Sequence, residues 1–230
     1  LLWRVEAARY WDIVQGARHP DSVVTGELWP GTMRAAYAAG GEGFVLVDAT
    51  CGQVLAHRRI GHAQGVVAGK FDKDIPGHQI LIGTRHESYG ILCFFDGEGH
   101  PIGRFQPDYM SQGGPPVNWT GDGTEFALMA SSADAFGLWD LHGRKVVDLK
   151  ALDAFASEPI DWRSLSVATP VDITGDPRDE LAVQHRGRLF VYTQDRPCEG
   201  DRIYAPIRNE RIIGPATSFE RWSPRRLAAR

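Results

Sequence analysis

The feature that most constrains the fold is a motif that returns four times at intervals of about 47 to 50 residues. Gly43-Phe-Val-Leu-Val-Asp, Gly90-Ile-Leu-Cys-Phe-Phe-Asp, Gly137-Leu-Trp-Asp and Gly187-Arg-Leu-Phe-Val-Tyr each set a glycine before a short apolar run. Runs of β-branched and aromatic residues bounded by turn formers read as strands. A Gly-bearing turn follows the first three, at residues 49–55, 97–103 and 141–147, as in a hairpin leading to an outer strand. A second marker runs in phase: an acidic, Gly- or Pro-bearing turn ahead of an apolar strand, in FDKDIPGHQILI (71–82), WTGDGTEFAL (119–128) and ITGDPRDELAV (173–183). The earliest unit lacks it.

Each unit thus holds about four short strands, the size of a propeller blade. The expected fold is all-β: a partial β-propeller of about four four-stranded blades at residues 26–59, 62–104, 112–149 and 165–208, forming one domain over 1–230. Leu1–Arg4 reads as the outermost strand of a preceding blade, and the chain as the C-terminal part of a larger ring. Two other architectures fit short alternating strands with Gly/Pro turns: a small closed propeller, and a two-sheet sandwich. Lys150–Ser157 has a helical pattern, and residues 209–230 read as a tail.

With 230 residues, 43% of them hydrophobic, the chain is long enough for a sizeable core. A net charge of −4 gives no global pull toward nucleic acid or an anionic membrane. No apolar run reaches the roughly 18 residues of a membrane span, and the start, LLWRVEAARYWD, lacks the features of a signal peptide. Cys51, Cys93 and Cys198 are odd in number and far apart, which suits idle or buried thiols. There is no GxSxG elbow, P-loop, GxGxxG after a strand, or HExxH.

In an up-and-down blade the acidic turns share one end. Asp172, Thr174, Asp176 and Asp179 alternate oxygen donors as a calcium loop does, and a turn-forming role fits them equally, whereas Asp72, Asp74 and Asp122 read as Asx-type turns. The opposite end collects His62 and Gln64, the loop Arg85-His86-Glu87-Ser88-Tyr89, then Tyr109, Trp162, Arg163, His185 and Arg186. Arg or His offsets a carboxylate, His or Tyr moves a proton, and aromatic rings lie against pyranose faces. That combination suits an anionic carbohydrate.

Four stretches carry a family resemblance: HAQGVVAGKFDKDIPGHQILIGTRHE (62–87), YGILCFFDGEGHPI (89–102), VNWTGDGTEFALM (117–129) and VDITGDPRDELAVQHRGRLFVYTQD (171–195), followed by Arg202-Ile203-Tyr204. Over about residues 60–204 the chain resembles the C-terminal portion of rhamnogalacturonan lyases and related rhamnose–glucuronate lyases, large β-propeller polysaccharide lyases. The resemblance implies β-elimination at a uronic acid, calcium in the acidic loops and an extracellular setting. It makes His86 and His62 the catalytic candidates, with Arg85, Glu87, Tyr89, Tyr109, Trp162, Arg163, His185, Arg186 and Tyr204 as substrate contacts. The acidic turns here are thinner than the DxDxDG pattern such propellers carry. The partner expected is an acidic polysaccharide or oligosaccharide, with self-association through exposed blade edges. The rival reading is a non-catalytic, calcium-stabilised propeller that binds carbohydrate or protein.

Overall fold

The computed structural model describes residues 2–5, 19–40, 43–86, 89–109, 111, 113–132, 134–149, 165–185 and 187–200. Among them, fifteen strands form four antiparallel sheets in chain order. The first sheet holds β1 (His19–Trp29), β2 (Thr32–Gly40), β3 (Gly43–Asp48) and β4 (Val54–Arg58). The second holds β5 (Ala63–Gly69), β6 (Gln79–Thr84), β7 (Leu92–Phe95) and β8 (Pro101–Phe105). In the third are β9 (Pro116–Val117), β10 (Phe126–Met129), β11 (Gly137–Trp139) and β12 (Lys145–Asp148). The fourth comprises β13 (Leu165–Val171), β14 (Glu180–His185) and β15 (Arg188–Tyr192). Each strand pairs with its neighbours in sequence, so every sheet is a simple meander.

Packing follows the same order. Leu28, Phe44 and Leu46 of the first sheet meet Ile80, Ile82 and Phe95 of the second. Leu81 and Phe94 of the second meet Ala127 and Met129 of the third. Leu128 and Leu138 of the third meet Leu181, Val183 and Tyr192 of the fourth. Successive side chains of a strand point to opposite faces, so Ile80 and Ile82 turn one way and Leu81 the other. A strand buried on both faces reads as a continuous apolar run, which is why QILIGT and FALM show no alternation. The outer strand β12 alternates instead, and β8 is partly exposed along its length.

The marker glycines have a steric cause. A Cβ on Gly43 would lie 2.2 Å from the carbonyl oxygen of Arg58, and one on Gly137 would lie 2.2 Å from that of Val147. Only glycine lets the outer strand approach this closely.

The expected four sheets are present, the fourth with three strands among the described residues, and the bounds of the first sheet and the reading of residues 2–5 change. The strands divide into four sheets rather than the two of a sandwich. The first sheet reaches back to His19, beyond Gly26. Its opening residues Pro20-Asp21-Ser22 look like a turn, but β1 absorbs them as a bulge in which the register steps from Pro20↔Ala39 to Ser22↔Ala38. Residues 2–5 form no strand. Trp3 and Val5 pack on Ala35, Ala39, Val45 and Val47 across the outer face of the first sheet. The Trp3 indole N–H donates to Ala49 O at 2.9 Å. Lys150–Ser157 and the tail from 209 lie outside the described residues. No helix among the described residues is long and apolar enough to cross a membrane.

Candidate functional site

The acidic turns and the histidine loops lie at opposite ends of the sheets, because the turns join the first two strands of a sheet and the loops follow the second strand. At the acidic end the carboxylates join one sheet to the next. Lys70, just after β5, donates its N–H to Glu125 Oε2 at 2.7 Å, and Glu125 N–H returns a bond to Lys70 O at 2.7 Å. One junction further on, Asn118, just after β9, donates its N–H to Asp179 Oδ2 at 2.7 Å, and Asp179 N–H donates to Asn118 O at 2.8 Å. Glu125, Asn118 and Asp179 are buried. Lys70 Nζ also donates to Ile75 O and, at 2.8 Å, to Gly77 O. Burial depresses its pKa, and Asp72 and Asp74 oppose that shift.

The expected calcium ligands are engaged in the same way. Asp172 Oδ1 accepts from Gly175 N at 2.9 Å, and the Thr174 hydroxyl donates to Glu180 Oε1 at 2.8 Å. Asp176 accepts from Arg178 N at 2.8 Å and Arg178 Nη2 at 2.7 Å, and Asp179 serves Asn118. Among the described residues, the one group of three His, Cys, Asp or Glu side chains converging within 4.8 Å is Asp96, Glu98 and His100. There Asp96 Oδ1 accepts the N–H of Glu98 at 2.9 Å and of His100 at 2.8 Å, which makes it a turn brace. Asp172, Asp176 and Asp179 do not converge as a group of three within 4.8 Å.

The other end is assembled around two histidines. His62 precedes β5, and Arg85 N–H donates to His62 O at 2.8 Å, bringing the loop after β6 alongside it. The His62 and His86 rings stand edge to face with centroids 4.8 Å apart, and the Tyr89 ring lies 6.3 Å from His86. His86 is exposed and takes a positive φ of 38°, uncommon for a residue with a Cβ. The loop is held against the segment after β8. Gln106 Nε2 donates to Tyr89 O at 2.6 Å, and a Cβ on Gly90 (φ 68°) would lie 1.7 Å from Asp108 O. Asp108 in turn accepts from Ser111 N at 2.7 Å, from Ser111 Oγ at 2.9 Å and from Ser131 Oγ at 2.9 Å. Tyr89 and Tyr109, 46% and 74% exposed, therefore project from two segments locked together at the backbone.

Of the residues expected from sequence, His62, Arg85, His86, Tyr89 and Tyr109 are brought to one end. His185 closes β14 at the corresponding end of the fourth sheet, where its backbone alone is described. Glu87, Trp162, Arg163, Arg186 and Tyr204 lie outside the described residues. Sequence reasoning missed Asp21, whose Oδ2 lies 3.6 Å from His62 Nε2, and Asp108. Both sit among turn formers, HPDS and QPDY, where an aspartate attracts no notice. Cys93 is buried, and burial pushes its thiol up to about 11, so it serves the core as a small apolar group.

No protein-family model and no curated protein matches the chain. Solved structures do. The chain is similar to the rhamnogalacturonan lyase YesW at 17% identity, over 81% of this chain and 31% of that one, with a TM-score of 0.45. Its likeness to the Bacillus licheniformis rhamnogalacturonan lyase PL11 is 16% identity over 76% and 29%, with a TM-score of 0.41. For the exotype rhamnogalacturonan lyase YesX the values are 17%, 77% and 31%, with a TM-score of 0.47. The chain spans about a third of the length of these structures.

Proposed function

We propose that this chain is a segment of a β-propeller whose histidine end engages a rhamnose-linked uronic acid polymer and cleaves it by β-elimination. The observation that carries the reading is the His62–His86 ring pair, 4.8 Å between centroids, beside the exposed Tyr89. The substrate class comes from the resemblance over residues 60–204. The propeller is supported by four successive meanders, each packed on the next.

In this reaction the C5 proton beside the uronate carboxylate passes to a base, a C4=C5 double bond forms, the C4–O bond breaks, and the departing oxygen takes up a proton. The exposed His86 imidazole is the proposed proton acceptor. His62, Arg85 and Tyr204 hold the acidic sugar, and Tyr89 and Tyr109 offer flat aromatic faces to neighbouring rings.

The test is the ultraviolet absorbance of unsaturated uronate, followed while the protein is incubated with rhamnogalacturonan. Product made by the native chain and abolished in His86→Ala supports the proposal. Retained binding without product favours the non-catalytic carbohydrate-binding propeller, and the absence of both removes the reading.

A further inference from the structure

Asp21 reaches His62 through an irregularity in β1. It is the extra residue of the bulge between Pro20↔Ala39 and Ser22↔Ala38. A bulge re-aims one side chain away from the alternation of its strand. Here it carries a carboxylate from the first sheet to the start of the second, 3.6 Å from His62 Nε2, with the Asp21 and His62 side chains only 12% and 15% exposed.

The placement is fixed from both sides. Ser22 Oγ donates to Gln64 O at 3.2 Å and accepts from Val66 N at 2.8 Å. Gln64 is itself the bulged residue of β5, between Ala63↔Thr84 and Gly65↔Gly83. Two bulges thus face each other across the sheet junction, pinned by one hydroxyl. Among the described residues, the charged or titratable groups seen to meet His62 are Asp21 from β1, and Arg85, through its backbone N–H, and His86 from the loop after β6.

We infer that Asp21 is a positioning residue: it holds the His62 imidazolium and, through the ring contact, sets the attitude of His86 toward an acidic sugar. The inference rests on the function proposed above. His86 needs such support, because it is exposed on a loop in a sparsely populated backbone conformation. A carboxylate about 4 Å from an imidazole favours its charged form and fixes the ring, as carboxylates behind ligating or catalytic histidines do.

The experiment pairs an NMR titration of the histidine rings with kinetics on rhamnogalacturonan. Asp21→Asn keeps the shape and removes the charge. Its expected result is a fall of about one pH unit in the His62 titration midpoint. With it come a roughly tenfold loss of kcat, KM within about twofold, and a pH profile displaced in the same direction. Asp21→Glu restores the charge on a longer arm. It is expected to keep the His62 midpoint and to shift the His86 ring resonances.

A His62 midpoint that does not move in Asp21→Asn overturns the inference. Should that variant fail to fold, unchanged His86 resonances and unchanged kcat in Asp21→Glu overturn it instead. The titration needs no turnover. A native chain that releases no unsaturated uronate therefore sinks the functional reading and leaves the Asp21–His62 coupling to be decided separately.

Discussion

The acidic end carries more charge, and the histidine end leaves more of its polar and aromatic groups facing solvent. Glu125, Asp179 and Glu180 are fully or almost fully buried, and each accepts from donors of this chain. His86, Tyr89 and Tyr109 are exposed, on loops whose backbones are tightly locked. Charge density in a sequence therefore does not locate a site. What locates it is the set of groups left facing solvent after the scaffold has satisfied its own donors and acceptors.

The sharpest way to break this contrast is to remove one group from each end. His86→Ala is expected to lower turnover on rhamnogalacturonan by about a hundredfold or more, the range for loss of a positioned proton acceptor. Because His86 is exposed and strained, urea unfolding should shift by less than about 0.5 kcal/mol. A comparable loss of stability in that variant would make His86 a fold residue and erase the difference between the ends.

At the acidic end the expected pattern is reversed. Asp179→Ala leaves the buried Asn118 N–H without its carboxylate acceptor at the third and fourth sheet junction. It should cost about 2 to 3 kcal/mol, the penalty for orphaning a buried donor to a charged partner. Denaturant unfolding measures it, and a shift under about 0.5 kcal/mol would show the clamp to be incidental.

Much of this was legible in the sequence, for stated reasons. Gly43 and Gly137 mark their strands because the neighbouring backbone leaves no room for a Cβ, and the runs Ile80-Leu81-Ile82 and FALM are apolar throughout because both faces are covered. The start of β1 was hidden. Pro20-Asp21-Ser22 has turn chemistry, and only the pairing register shows the chain continuing through it as a bulge. The same bulge hid Asp21 from the site. The acidic turns left metal and turn roles open, and the structure shows the turn bonds. The order Asp172, Thr174, Asp176, Asp179 suits calcium, yet a sequence does not show that Gly175, Arg178 and Asn118 supply the donors.

Asp122 allows a finer division within the acidic end, since it is the half-exposed member of that set. Burial pushes its carboxyl up, but the Thr120 hydroxyl at 2.6 Å, Thr124 N–H at 3.1 Å and Lys73 at 3.2 Å outweigh that and hold it below its ordinary value of 3.8. A depressed carboxylate contributes stability above its unfolded pKa and loses it as pH falls through the lower folded value. Solvent screens an exposed pair, so Asp122→Asn should cost well under about 1 kcal/mol at neutral pH. The variant and the native chain should converge in urea unfolding once the pH has fallen below the lowered folded-state value. A difference that persists there would mean the turn geometry, and not the charge, carries the effect.

The smallest expected effect is that of a chelator on thermal unfolding. Calcium gathers six to eight oxygens, and in residues 172–179 the carboxylates do not converge as a group of three within 4.8 Å and accept hydrogen bonds from this chain's own donors. Binding to the folded state alone would raise the unfolding midpoint in a calcium-dependent manner. With EDTA present the midpoint is therefore expected to stay where it was, with or without added calcium. A midpoint that falls with the chelator and returns with calcium would mean that the turn opens its internal bonds to take the ion. The acidic end would then be a ligand site as well as a clamp.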